Sequence, residues 1–158
     1  FGIYAGAVWS VSLLVMPGLL YLLAYAGDRL SNEKLGTRKI FLSYSGSLLP
    51  FGLLLWMAFV IPMLFTNITF VLQSLSDPFG WGWDFFGTAN TPWHQLLPRF
   101  IPWIQAMLIL TGLHLSLRNI IRSFTEMELK PDKQLLVSLP YALFLSSIAV
   151  ALLFFFTN

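Results

Sequence analysis

Residues 40–66 read IFLSYSGSLLPFGLLLWMAFVIPMLFT, 27 residues without an Asp, Glu, Lys or Arg. A helix needs about 20 apolar residues to cross the hydrocarbon core of a bilayer. This stretch is long enough, and it is followed by an aromatic segment too apolar for a solvated loop. Working outward, three more stretches qualify: 1–27, 100–124 and 136–157. The expected fold class is therefore all-α integral membrane: one membrane domain over 1–158, with four transmembrane helices. A long aromatic outward loop, 67–98, is expected between helices 2 and 3.

Composition agrees. Of 158 residues, 57% are hydrophobic and 10% charged, and the mean hydropathy is +0.75. A soluble domain carries about 25% charged residues, so this chain lacks the charge to cover a water-facing surface. It contains no cysteine, which excludes disulfides, thiolate-held iron–sulfur clusters and Cys-type zinc sites within it. A net charge of +2, dispersed along the chain, gives no nucleic-acid footprint. The sequence begins at Phe1 and is apolar at once, without the basic segment of a signal peptide. It is expected to be part of a longer chain, or to have lost its start.

Topology follows from the loops. The first holds Arg29, Lys34, Arg38 and Lys39; the third is flanked by Arg118, Arg122, Lys130 and Lys133. Only Arg99 of the nine Lys and Arg residues belongs to the second loop. Positive residues near span ends face the cytoplasm. Loops 28–39 and 125–135 are thus expected to be cytoplasmic, with both termini and loop 67–98 outside. Pro17, Pro50, Pro62 and Pro140 fall within the spans and are expected to shape helix packing, with a bend at Pro50. Gly2, Ala5, Gly6 and Ala7, together with Ser43, Ser45, Ser47, Ser146 and Ser147, read as small residues at helix contacts. Gln105 in the third span reads the same way. The tripeptide Asn67–Ile68–Thr69 matches a glycosylation sequon, a match common by chance.

Loop 67–98 reads NITFVLQSLSDPFGWGWDFFGTANTPWHQLLP. Loops this long are usually functional or disordered. Its aromatic density suits the headgroup level, so it is expected to be re-entrant or to lie on the outer helix ends. Asp77–Pro78 with Gly80 marks a turn in which Asp77 bonds amides two residues on. Gly80 and Gly82 let the backbone approach an aromatic surface. Asp84 reads as the cap of a short helix starting at Phe85, or else as a proton or cation contact. Asp77, Trp81, Trp83, Asp84, Phe86 and Trp93 form the candidate partner-docking set, since aromatic residues are enriched at interfaces.

Residues 76–89, SDPFGWGWDFFGTA, resemble the membrane portion of polyferredoxin-type subunits of periplasmic nitrate and nitrous-oxide respiration, and related polytopic proteins. Two flanking stretches agree. Residues 47–52, SLLPFG, look like the family's Leu-Pro-x-Gly opening of a span. Residues 103–105, WIQ, followed by 112–117, GLHLSL, look like its Gln-then-Gly-His span. The resemblance runs from about Val8 to the end. It implies a prokaryotic cytoplasmic-membrane subunit that anchors and organises an electron-transfer complex without catalysing a reaction itself. The partners implied are other membrane subunits, such as a cytochrome or iron–sulfur protein, within the lipid bilayer; haem or quinone would be shared with a partner. Residues 55–59, LWMAF, lack the His-x-x-His pair that relatives often carry, and ferredoxin cysteine motifs are missing. Any metal or haem role of those residues does not transfer.

His114 is the one ionisable side chain expected deep inside a span, and such residues are functional candidates by default. It could be a haem ligand, a quinone hydrogen-bond donor, a metal ligand, or a histidine bonded to a neighbouring carbonyl. Met107 lies on its face seven residues earlier, but one helix cannot ligate both sides of a haem. Arg118 and Arg122 share a face at the cytoplasmic boundary and read as lipid headgroup contacts. Paired carboxylates, an activated nucleophile and a phosphate-binding loop are all missing. The alternatives to an anchoring subunit are a haem- or quinone-binding carrier using His114, and a small transporter.

Overall fold

The computed structural model describes residues 2–32 and 35–157, and the secondary structure among them is entirely helical. The elements are α1 (Gly2–Ser10), a π-helical turn (Val11–Val15), α2 (Met16–Ser31), α3 (Thr37–Ser47), α4 (Leu49–Ser76), α5 (Ile101–Glu126) and α6 (Pro131–Thr157). Because α1 runs through the π turn into α2, and α3 meets α4 at Leu48, these make four rods. All four are long and apolar enough to cross a membrane.

α5 sits between α4 and α6, and α2 packs on α6 and α3. Its core face is a strict stripe: Ile101, Gln105, Ile109, Gly112, Ser116, Ile120 and Phe124 are all buried. The spacing is in fours with a single three, between Ile109 and Gly112, which keeps the stripe on one helix face. α6 answers with Val137, Tyr141, Leu145 and Ala149. Two glycines set the closest approaches. A methyl at Gly112 would lie 3.2 Å from the Phe51 Cα, and one at Gly27 2.6 Å from the Tyr44 hydroxyl.

Each proline leaves a backbone carbonyl without its usual amide, and the defect at Pro62 is met by a side chain from another helix. Pro62 cannot donate to the Ala58 carbonyl, and buried Gln105 donates to that oxygen from α5 at 3.0 Å. Ahead of Pro50 the helix breaks at Leu48, as the sequence predicts. The break exposes first-turn amides of α4, and that of Phe51 donates to the buried Ser116 hydroxyl of α5 at 3.2 Å. Near Pro140, the Tyr44 hydroxyl donates to the Val137 carbonyl. Pro17 follows the π turn directly, a widened turn of the kind that absorbs helix irregularities.

Three expectations need correction. Residues 67–76 are not loop; α4 continues to Ser76. At 28 residues, α4 is about 42 Å long, beyond the ~30 Å hydrocarbon thickness, so its last turns extend past a bilayer core. The sequon is therefore helical, with Thr69 buried and bonded to the His94 carbonyl at 3.2 Å. Finally, Gly2, Gly6 and Ala7 are exposed, with Ala5 half-buried. Open space surrounds Gly2 and Gly6, so α1 presents its small residues to no neighbour within the described residues.

Candidate functional site

The segment between α4 and α5 is not a free loop. It doubles back along α4 and is tied to it turn by turn. From the tip downward, the Phe86 amide donates to the Ser76 hydroxyl at 3.1 Å and Thr88 Oγ1 to the Leu72 carbonyl at 3.0 Å. The Gln73 side chain donates to the Thr91 carbonyl. Below these, the Trp93 indole donates to the Thr66 carbonyl at 3.0 Å, and the Leu96 amide to the Phe65 carbonyl at 3.2 Å. These bonds explain why 67–76 stays helical: the returning segment covers one side of it, burying Thr69 and Ser76.

Two aspartates shape the tip. Asp77 accepts the Trp81 and Gly82 amides at 2.9 and 2.8 Å, one on each carboxylate oxygen. Its partners lie four and five residues on, not two, because Gly80 (φ 68°) and Gly82 (φ 79°) curl the backbone through the left-handed region. Those glycines thus supply conformation, since nothing approaches closer than 4 Å where a side chain would stand. Asp84 caps no helix, as residues 85–89 form turns and bends. It accepts the Ser76 hydroxyl at 2.6 Å and the Ala89 amide at 3.1 Å. These bonds, the hydroxyl foremost, hold the Asp84 carboxyl below its ordinary range.

On this frame the rings gather. Trp81 stacks on Phe79 at 4.9 Å, Trp83 meets Trp81 edge-on at 4.9 Å, and Phe85 meets Trp83 at 5.1 Å. Phe86 stands 70% exposed and Trp81 67%. The candidate docking set therefore divides. Trp81, Trp83 and Phe86 present apolar surface outward. Asp77 and Asp84 are engaged within the loop, and Trp93 is tied by its indole N–H to α4.

The second candidate lies on the outward face of α5. His114 and Arg118 are exposed one turn apart, with Trp103, Met107, Leu110 and Ile121 exposed on the same helix. His114, Leu117, Arg118 and Ile121 line a shallow hollow of about 300 Å³. His114 stands 13 residues from the start of a 26-residue helix, about 20 Å along its axis. It faces away from the bundle and bonds no neighbouring carbonyl, which corrects the expectation of a satisfied interior histidine. His94 is in the returning segment, its Nδ1 2.9 Å from the Pro92 carbonyl, and shares no site with His114. Arg122 pairs with Glu126 at 3.0 Å on an exposed surface, whereas Arg118 pairs with no carboxylate among the described residues. Among the described residues, no three His, Asp or Glu side chains gather where they could hold a metal.

The first and third turns of the bundle meet at one end. Lys133 donates from the start of α6 to the Ser31 carbonyl at the end of α2, 2.8 Å away, and Thr37 donates to Asp28 at 3.0 Å. Nearby, α3 and α5 flank a polar cleft lined by Lys39, Ser43, Gly46, Ser47, Asn119 and Ser123. Reading the sequence for packing alone passes over this cleft. The signal was present as paired polar residues four apart, Ser43 with Ser47 and Asn119 with Ser123.

Compared with protein-family models, with curated proteins and with solved structures, the chain matches none.

Proposed function

We propose that this chain is a multi-pass membrane subunit that anchors and organises a larger electron-transfer complex. The observation carrying the proposal is the placement of His114 and Arg118. They sit on the outside of the bundle, within the apolar length of α5, and none of the described residues bonds them. Ionisable side chains within membrane spans almost always face a bundle interior, a cavity or a partner, because placing one against lipid has a free-energy cost, and His114 lies near the middle of α5, with Arg118 one turn nearer its C-terminal end. A neighbouring subunit covering this face removes that cost. The exposed Trp81, Trp83 and Phe86 add a second contact surface at the far end of α4. The electron-transfer setting is what the likeness of residues 76–89 to respiratory membrane subunits implies.

The test is purification of the tagged chain from membranes in mild detergent. The expected product is a stoichiometric complex with haem or iron–sulfur absorbance from its partners. His114→Leu should release those partners, and so should replacing Trp81, Trp83 and Phe86 together with Ala. Recovery of the chain alone, without absorbance, would refute the proposal, as would an intact complex after both changes.

A second reading is favoured by the hollow beside His114. An imidazole and a guanidinium one turn apart, over Leu117 and Ile121, are donors suited to a quinone carbonyl at an apolar surface. Haem fits less well, because this face offers one imidazole and no opposed ligand. A quinone bound by wild type and lost in His114→Ala, with the complex still intact, would favour this reading.

A further inference from the structure

We propose that the cleft between α3 and α5 binds the phosphate of an anionic phospholipid headgroup. The inference rests on the membrane reading above, but on different residues. The cleft encloses about 460 Å³. It lies beside the one-residue interruption at Leu48, between α3, which ends at Ser47, and α4. Gly46 then faces open space, with nothing within 4 Å of where a side chain would stand.

Its lining has the chemistry of a phosphate site. Among the described residues, Lys39 is the one charged side chain lining it, and no carboxylate does. Ser123 Oγ donates to Ser43 Oγ at 3.0 Å across the two helices. The two hydroxyls share one hydrogen bond, which uses one of their two protons and leaves the other free for an acceptor. Asn119 adds an exposed side-chain amide. An ammonium, a hydroxyl and an amide around one space are a donor set without a built-in acceptor of matching charge.

Position selects the source of that phosphate. Lys39 is three residues into the span Thr37–Ser76, and Ser123 is three residues from the end of Ile101–Glu126. Both therefore lie at a span end, the level of lipid headgroups. This is also the end flanked by eight of the nine Lys and Arg residues. Exposed Leu42 and Met127 complete the lining and suit the glycerol and first methylenes of a lipid more than a free ion.

The experiment is native mass spectrometry of the full chain in detergent, titrated with dioleoyl phosphatidylglycerol or dioleoyl phosphatidylcholine. Wild type should retain one phosphatidylglycerol and no phosphatidylcholine. Lys39→Gln should weaken retention about tenfold, the loss of one charge-assisted hydrogen bond. Lys130→Gln, an equal change of net charge outside the cleft, should leave retention unchanged. Equal retention of both lipids, or equal effects of the two substitutions, would overturn the site alone. Displacement of the lipid by millimolar inorganic phosphate, with phosphate binding to lipid-free chain, would assign the cleft to a soluble anion and overturn the lipid proposal. A chain that stays dissolved without detergent would overturn the membrane reading, and this site with it.

Discussion

Gln105 repairs a defect that Pro62 creates. The Ala58 carbonyl has lost its amide partner within α4, and the Gln105 side chain takes that place from α5. The two residues are therefore predicted to be coupled. Gln105→Leu should cost about 1 kcal/mol, the net worth of a typical hydrogen bond. In a Pro62→Ala background, where residue 62 again donates to Ala58, the same change should cost less. Thermal unfolding of the four proteins in detergent gives the cycle; equal costs in both backgrounds would deny the coupling. Asp84 makes a second prediction. Its folded carboxyl is held below the ordinary value, so its ionised form stabilises the folded loop. That contribution is complete above about pH 4, the usual Asp range. It is lost as pH falls through the depressed value. Emission from Trp81 and Trp83 should shift only at strongly acid pH, and Asp84→Asn should give the acid-type spectrum at neutral pH. A wild-type shift near pH 6 would contradict the assignment.

At the scale of the element, the close crossing of α4 and α5 rests on Gly112. A methyl there meets the Phe51 Cα at 3.2 Å and the Leu54 Cβ at 3.3 Å, and backbone cannot swing aside as a side chain can. Gly112→Ala should destabilise by about 1–3 kcal/mol, read as a lower melting temperature, while Gly52→Ala, with open space around it, should change little. The existence of the four long helices was legible in the sequence because length and lack of charge decide it. The one-residue interruption at Leu48, just ahead of Pro50, fits proline chemistry. The facing of the helices was not legible. In a soluble protein the core face is the apolar one, whereas here the outward faces are at least as apolar, and the core stripe of α5 is marked by Gln105, Gly112 and Ser116. The same inversion hid His114, whose depth was readable but whose outward direction was not. The end of α4 was misread because residues 67–76 take their shelter from a segment 8 to 25 residues later in the chain, and no local pattern records that.

For the whole molecule, the returning segment and the kinked helices produce a bundle with two unlike ends. One end gathers Lys39, Lys133 and the polar cleft; the other carries the Phe79–Trp81–Trp83–Phe85 cluster. The aromatic residues between α4 and α5 stand out in composition, and the structure adds that Asp77 and Asp84 hold that segment together and leave Trp81 and Phe86 exposed. The polar pairs of the cleft were legible on each helix, but their meeting was not, because α3 and α5 are far apart in sequence. The account stands on these four rods crossing a bilayer, with Arg38 and Lys130 on one side and Asn90 on the other. The chain has no cysteine, so Arg38→Cys, Asn90→Cys and Lys130→Cys each introduce a single thiol. A membrane-impermeant maleimide applied to intact cells should label Asn90→Cys at once, and Arg38→Cys and Lys130→Cys only after the membrane is opened. Labelling of all three thiols from the same side would contradict it.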